Sequence, residues 1–173
     1  MENNYKNYID KFKEGDILMT ASSRLISKLI MAFTKTQYSH AGTLWKLNDK
    51  WYVVEAQKKG IRLIEWDKYY TLKSSSLMIL RPKFKQKTKQ LKEVALRDLG
   101  NVKYDFVGLI HQAIFQTTGV WVGRKGKDAA NRMYCTEKVA HDYNEIYGIF
   151  PNWWNVSPKE LLKNENFEHI LLF

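Results

Sequence analysis

The residue pattern predicts an α+β fold, a mainly antiparallel sheet with helices packed on it. Three observations carry this. Short apolar runs with strand character cluster in the first half of the chain. Runs with apolar residues three and four apart fill much of the second half. One last strand-like run, FEHILLF, closes the chain.

GDILMT (15–20) is a short apolar strand after a polar lead. SSRLISKLIMAFTK follows with Leu25, Ile26, Leu29, Ile30 and Phe33 at helical spacing, and Ser22 or Ser23 can cap it. YSHAGTLWKL and WYVVEAQ flank Asn48-Asp49, a turn-forming pair, and read as a hairpin. GIRLIEW (60–66) and the run over 77–82 are further strands, and Pro82 stops the second. KFKQKTKQLKEVALRDLG opens basic and becomes an amphipathic helix, with Leu91, Val94, Ala95 and Leu99 as its stripe and Gly100 as its C-cap. YDFVGLIHQAIFQTTG (104–119) has no charge after Asp105, which predicts a more buried helix. VGRKGKDAANR (122–132) is a basic loop. YCTEKVAHDYNEIYG (134–148) is a third helix of this half, closed by Gly148. Ser157, Pro158 and Glu160 then form a capping box with proline in the first helical position.

The length of 173 residues suits one domain, taken as 1–173 with a polar lead over 1–13. Hydrophobic residues at 45% and charged ones at 27% are ordinary for a globular chain. The 28 Lys+Arg against 18 Asp+Glu leave a net charge of +10, which points to an anionic partner or simply to solubility. No nucleic-acid-binding signature accompanies it, so nucleic acid is not expected. The N-terminal run lacks a signal-peptide core, and LISKLIMAF (25–33) is too short to span a bilayer. The expectation is a soluble, cytoplasmic protein. No His/Cys/carboxylate set has ligand spacing in the sequence, so no metal is expected.

Cys135 is the single cysteine, so no internal disulfide can form. A lone Cys is often just a small buried hydrophobe. Its place at the start of a helix also suits a nucleophile, because the unsatisfied N–H groups and the macrodipole favour a thiolate. The same N–H groups can hold an oxyanion. Cys135 shares a helix face with Val139, Tyr143 and Ile146 and so points inward.

A base is needed, and there are four histidines. His141 lies about 240° around the helix from Cys135 and about 9 Å along it, so it faces away. His111 and His169 have no telling neighbours. His40 stands on a strand beside Ala41 and Gly42. With Asn48-Asp49 at the centre of the turn, Gly42 pairs with Glu55 and His40 with Gln57. His40 and Glu55 then become diagonal neighbours on one face, with no side chain on Gly42 between them. Either Glu55 or Gln57 could orient the imidazole, and a one-residue slip would separate His40 from Glu55. Spacing alone does not bring Cys135 to His40.

GDIL, YSHAG (38–42), VVEA (53–56), YDFVGL (104–109), YCTE and SPKELL, in this order, resemble the circularly permuted NlpC-type papain-like cysteine peptidases, the YiiX-like branch. The resemblance runs from about residue 14 to 172. It implies a circularly permuted papain-like fold with a small antiparallel sheet. It implies a cysteine hydrolase with Cys135 as nucleophile, His40 as base and Glu55 as the orienting group, and no cofactor is expected. Tyr38 and Tyr134 flank the reactive residues and are expected to wall the substrate pocket. The implied substrate is an amide in a peptide or cell-wall peptide. A related branch similar to lecithin:retinol acyltransferase makes a lipid acyltransferase or thioesterase the alternative. A non-catalytic binding module on the same fold is the third reading.

Overall fold

The computed structural model describes residues 5–21, 25–72 and 76–171. Elements run in the order β1 (Ile17–Thr20), α1 (Leu25–Thr34), β2 (His40–Leu47), β3 (Lys50–Gln57), β4 (Gly60–Glu65), α2 (Trp66–Leu72), β5 (Leu77–Pro82) and α3 (Thr88–Arg97). Then come β6 (Lys103–Tyr104), α4 (Phe106–Thr118), β7 (Arg132–Met133), α5 (Cys135–Tyr147), α6 (Pro158–Lys163) and β8 (Phe167–Leu171). Six strands form one antiparallel sheet in the order β4-β3-β2-β1-β5-β8. This is the mainly antiparallel sheet of the predicted α+β fold. The terminal strand returns to pair with β5 and forms one edge of the sheet, with β4 at the other.

The β2–β3 hairpin fixes the register. Asn48 and Asp49 both take positive φ, 47° and 63°, the geometry whose twist matches paired strands. Gly42 therefore pairs with Glu55, as the turn chemistry predicts. Glu55 in turn pairs with Arg62 on β4. Gly42 is required here, because a Cβ would stand 2.7 Å from Val53 Cγ1 and 2.9 Å from the Val54 carbonyl oxygen.

Each face of the sheet has its own core. Ile17, Met19, Ala41, Val54 and Leu80 pack with Leu91 and Ala95 of α3 and with Cys135, Val139 and Tyr143 of α5. Leu18, Leu44, Val53 and Ile79 pack on the opposite face with Phe12 and with Trp66 and Tyr69 of α2.

Several local expectations are corrected. α3 ends at Arg97 with Asp98 as its C-cap, and Gly100 (φ 73°) turns the chain beyond it. α4 is not a buried helix: Phe106, Val107, Ile110 and Ile114 are exposed, and Gly108 and Gln112 face inward. Its uncharged composition hid a one-sided burial. Trp66 opens α2 and does not extend the strand before it. Ser22 and Ser23 lie outside the described residues. The capping box of α6 is formed, with Ser157 N–H donating to Glu160 Oε2 at 2.8 Å.

Candidate active site

His40 is the first residue of β2. Its Nε2 contacts Glu55 Oε2. The Gln57 amide nitrogen lies 3.5 Å from the same ring atom, so Glu55 is the nearer partner. The other carboxylate oxygen, Oε1, accepts from Arg62 Nε at 2.9 Å and Nη2 at 2.5 Å. The Glu55 side chain is wholly buried, whereas 41% of the Arg62 side chain is exposed. Arg62 thus brings a solvated positive charge onto a buried carboxylate. Sequence reading missed this residue. Its signal was present, since Glu55 and Arg62 flank the Lys58-Lys59 turn in cross-strand positions.

Cys135 is the first residue of α5, and Tyr134 is its N-cap. Glu137 accepts the Tyr134 N–H at 3.0 Å and so ties down the first turn. Burial pushes the Glu137 carboxyl well above its usual range, and Asp105 and Cys135 add to the rise. The thiol is buried among residues of the α3–α5 face.

Strand alternation sends Gly42 and Glu55 to the α2 face and Ala41 and Val54 to the Cys135 face. His40 opens β2, so the His40–Glu55 contact lies at the end of that strand, at the rim of the sheet. Pairing between β2 and β3 stops at Gly42–Glu55, two residues short of the His40 position. Two buried tyrosines sense both sets. Tyr69, on α2, is held well above the usual range by burial first, with Glu55 and Cys135 adding to the rise. Tyr104, on β6, is raised by burial, Cys135, Glu137 and Glu55. Tyr69 and Tyr104 are thus each within electrostatic reach of both Glu55 and Cys135.

Tyr38 and Tyr134, expected as open pocket walls, are interior side chains, each 1% exposed. The Tyr134 hydroxyl donates to Gln112 Oε1 at 3.0 Å and reaches the Val156 carbonyl at 3.3 Å. The Tyr38 hydroxyl accepts from Gln37 Nε2 at 3.0 Å. Both rings are buried, that of Tyr38 in the core of the Cys135 face. The other histidines stand elsewhere: His111 packs on Trp121, His141 on Trp153, and His169 Nε2 meets the Leu162 carbonyl.

The fold also assembles a carboxylate–imidazole cluster that linear spacing could not reveal. Asp98, His141 and Asp142 bring potential ligand atoms within 4.8 Å of one another. Two elements contribute, so no ligand motif appears in the sequence. The Lys138 ammonium lies 2.5 Å from Asp142 Oδ1 and 3.1 Å from Asp98 Oδ2. The ammonium offsets part of this carboxylate charge, while Asp142 Oδ2 and His141 Nδ1 are buried without a hydrogen-bond partner, so the fold brings together a ligand set where the spacing predicted none.

Residues 11–169 match the family described as permuted papain-like amidase enzyme, YaeF/YiiX, C92 family. The chain belongs to that family. It is therefore a papain-like cysteine hydrolase. A solved structure, that of the metalloprotein YiiX from Escherichia coli O157:H7, has a similar fold. The TM-score is 0.70 at 20% identity, covering 91% of this chain and 96% of that one. No curated protein matches the chain.

Proposed function

We propose that this amidase works through Cys135, His40 and Glu55, and that its substrate is an amide in a peptide or cell-wall peptide. The observation that carries the reading is the His40 Nε2–Glu55 contact at the sheet rim, with the sole cysteine of the chain at a helix N-terminus. Family membership supports the thiol chemistry. With Nε2 turned to Glu55, Nδ1 is the ring nitrogen that exchanges a proton with sulfur.

The thiolate attacks the amide carbonyl carbon and forms the S–C bond. Negative charge moves to the carbonyl oxygen, where N–H groups of the first α5 turn receive it. The C–N bond then breaks, and the His40 imidazolium gives its proton to the departing amine. A thioester remains on Cys135. Water attacks it while His40 takes a proton, and breaking the C–S bond releases the acid and returns the thiolate.

An acyl-enzyme trapped at low temperature and located by mass spectrometry on Cys135 supports the reading. Turnover that survives in Cys135→Ala overturns it. One feature favours the lipid acyltransferase or thioesterase reading as the second: an apolar groove of about 210 Å³ between α1 and α4, lined by Ile30, Phe33, Leu109 and Gln112. A thioester that forms from long-chain esters, and not from peptides, would decide for it.

A further inference from the structure

Every large apolar side chain that stands out in solvent among the described residues belongs to one region. Phe33 is on α1, Phe106, Val107, Ile110 and Ile114 are on α4, and Val120 and Val122 follow α4. Val107, Ile110 and Ile114 fall on one helical stripe, opposite the buried Gly108 and Gln112. α1 and α4 lie side by side with the apolar groove between them. Contiguous apolar surface of this kind marks a docking face.

The charge around it is mainly positive: Glu160, bonded to Gln116 at the groove, and Asp128 are the acids beside it. Residues 17–48 and 106–127 contain no Asp or Glu, although the chain has 18. Lys28 and Lys35 on the α1 side, and Arg124, Lys125 and Lys127 beyond α4, are all exposed. Two copies of this face set against each other would bring five exposed cations of each copy together against few acids. Self-association is thereby opposed, since a two-fold contact repeats the same patch on both sides. An anionic bilayer meets both demands, taking the apolar stripe into its interface and the cations onto its headgroups.

We propose that α1, α4 and the segment after α4 form a docking face for an anionic lipid surface. Gln112, on the inner side of α4, receives the hydrogen bond of Tyr134, the residue before Cys135. Docking thus seats the N-terminus of α5 close to the bilayer. This inference does not depend on the catalytic assignment.

Sedimentation of the full chain with vesicles tests it. Phosphatidylcholine vesicles containing phosphatidylglycerol are expected to carry the protein down, and pure phosphatidylcholine vesicles to do so far less. Ile110→Asp is expected to weaken binding by about ten-fold or more, with circular dichroism and melting unchanged because Ile110 is 61% exposed. Lys125→Glu with Lys127→Glu should weaken it as well, and added salt should reduce what remains. Three results overturn the proposal. One is absence of binding to the phosphatidylglycerol vesicles. Another is binding that Ile110→Asp leaves intact, which would reduce it to the charge of +10. The third is a dimer in ultracentrifugation that Ile110→Asp dissolves, which would make the face a self-interface.

Discussion

Replacing Arg62 by Gln should move the pH profile of the enzyme upward, not merely lower it. In the native arrangement Glu55 offers Oε2 to His40 and Oε1 to the guanidinium. The carboxylate and Arg62 together carry no net charge. An imidazolium beside them is oriented, but it does not feel a full negative charge. Removing Arg62 uncovers that charge, so protonated His40 is held to higher pH, and the thiol loses a nearby cation and ionises later. Both limbs of the bell then rise. A guanidinium one carboxylate width beyond the ring sits roughly 6 Å away, worth ~0.7 kcal/mol at the dielectric of water and ~3 kcal/mol at an effective value of 20. The Arg62 side chain is 41% exposed, which weights the outcome toward water. A shift of about 1 kcal/mol follows, somewhat under one pH unit.

The assay is kcat/KM against pH, or the rate of Cys135 alkylation where no substrate is in hand. Arg62→Lys should restore most of the native position. The double variant Glu55→Gln with Arg62→Gln is again neutral, so its limbs should return toward the wild type even as its rate falls. Limbs that stay in place in folded Arg62→Gln, with only the height reduced, would refute the charge argument.

Two other perturbations are as specific. Gly42→Ala forces a Cβ against the Val54 carbonyl and toward Glu55 Cβ at 3.3 Å. It should cost about 1–3 kcal/mol in denaturant unfolding and reduce activity by displacing Glu55. For Glu137, the native carboxyl titrates well above its ordinary 4.5. The native state therefore binds more protons than the unfolded chain from about pH 4.5 upward, and stability falls as pH rises through that window. Glu137→Gln can still accept the Tyr134 N–H and has no such titration. Its melting temperature should decline less than that of the wild type as pH rises above about 4.5.

What the sequence revealed follows from how local each signal is. The Asn48-Asp49 turn set the hairpin register, and with it the meeting of His40 and Glu55, because turn chemistry acts within a few residues. The capping box of α6 was legible for the same reason. Arg62 escaped because only the pairing of a third strand brings it to Glu55. The Asp98–His141–Asp142 cluster, threaded by Lys138, depends on α3 meeting α5, which no spacing encodes. α4 misled in the opposite sense. A helix without charge reads as buried, yet Phe106, Val107, Ile110 and Ile114 face outward. Tyr38 and Tyr134 were placed correctly along the chain, but sequence adjacency could not tell that their rings would be interior.

The rate of Cys135 alkylation by iodoacetamide, followed against pH in the wild type and in His40→Ala, bears hardest on the proposed pair. A coupled thiolate and imidazolium keep the wild type reactive well below the free-cysteine pKa of about 8.5. His40→Ala should then return the profile to that of an ordinary thiol while the fold stays intact. An ordinary profile in the wild type, unchanged by the substitution, would contradict the assignment of His40 to Cys135.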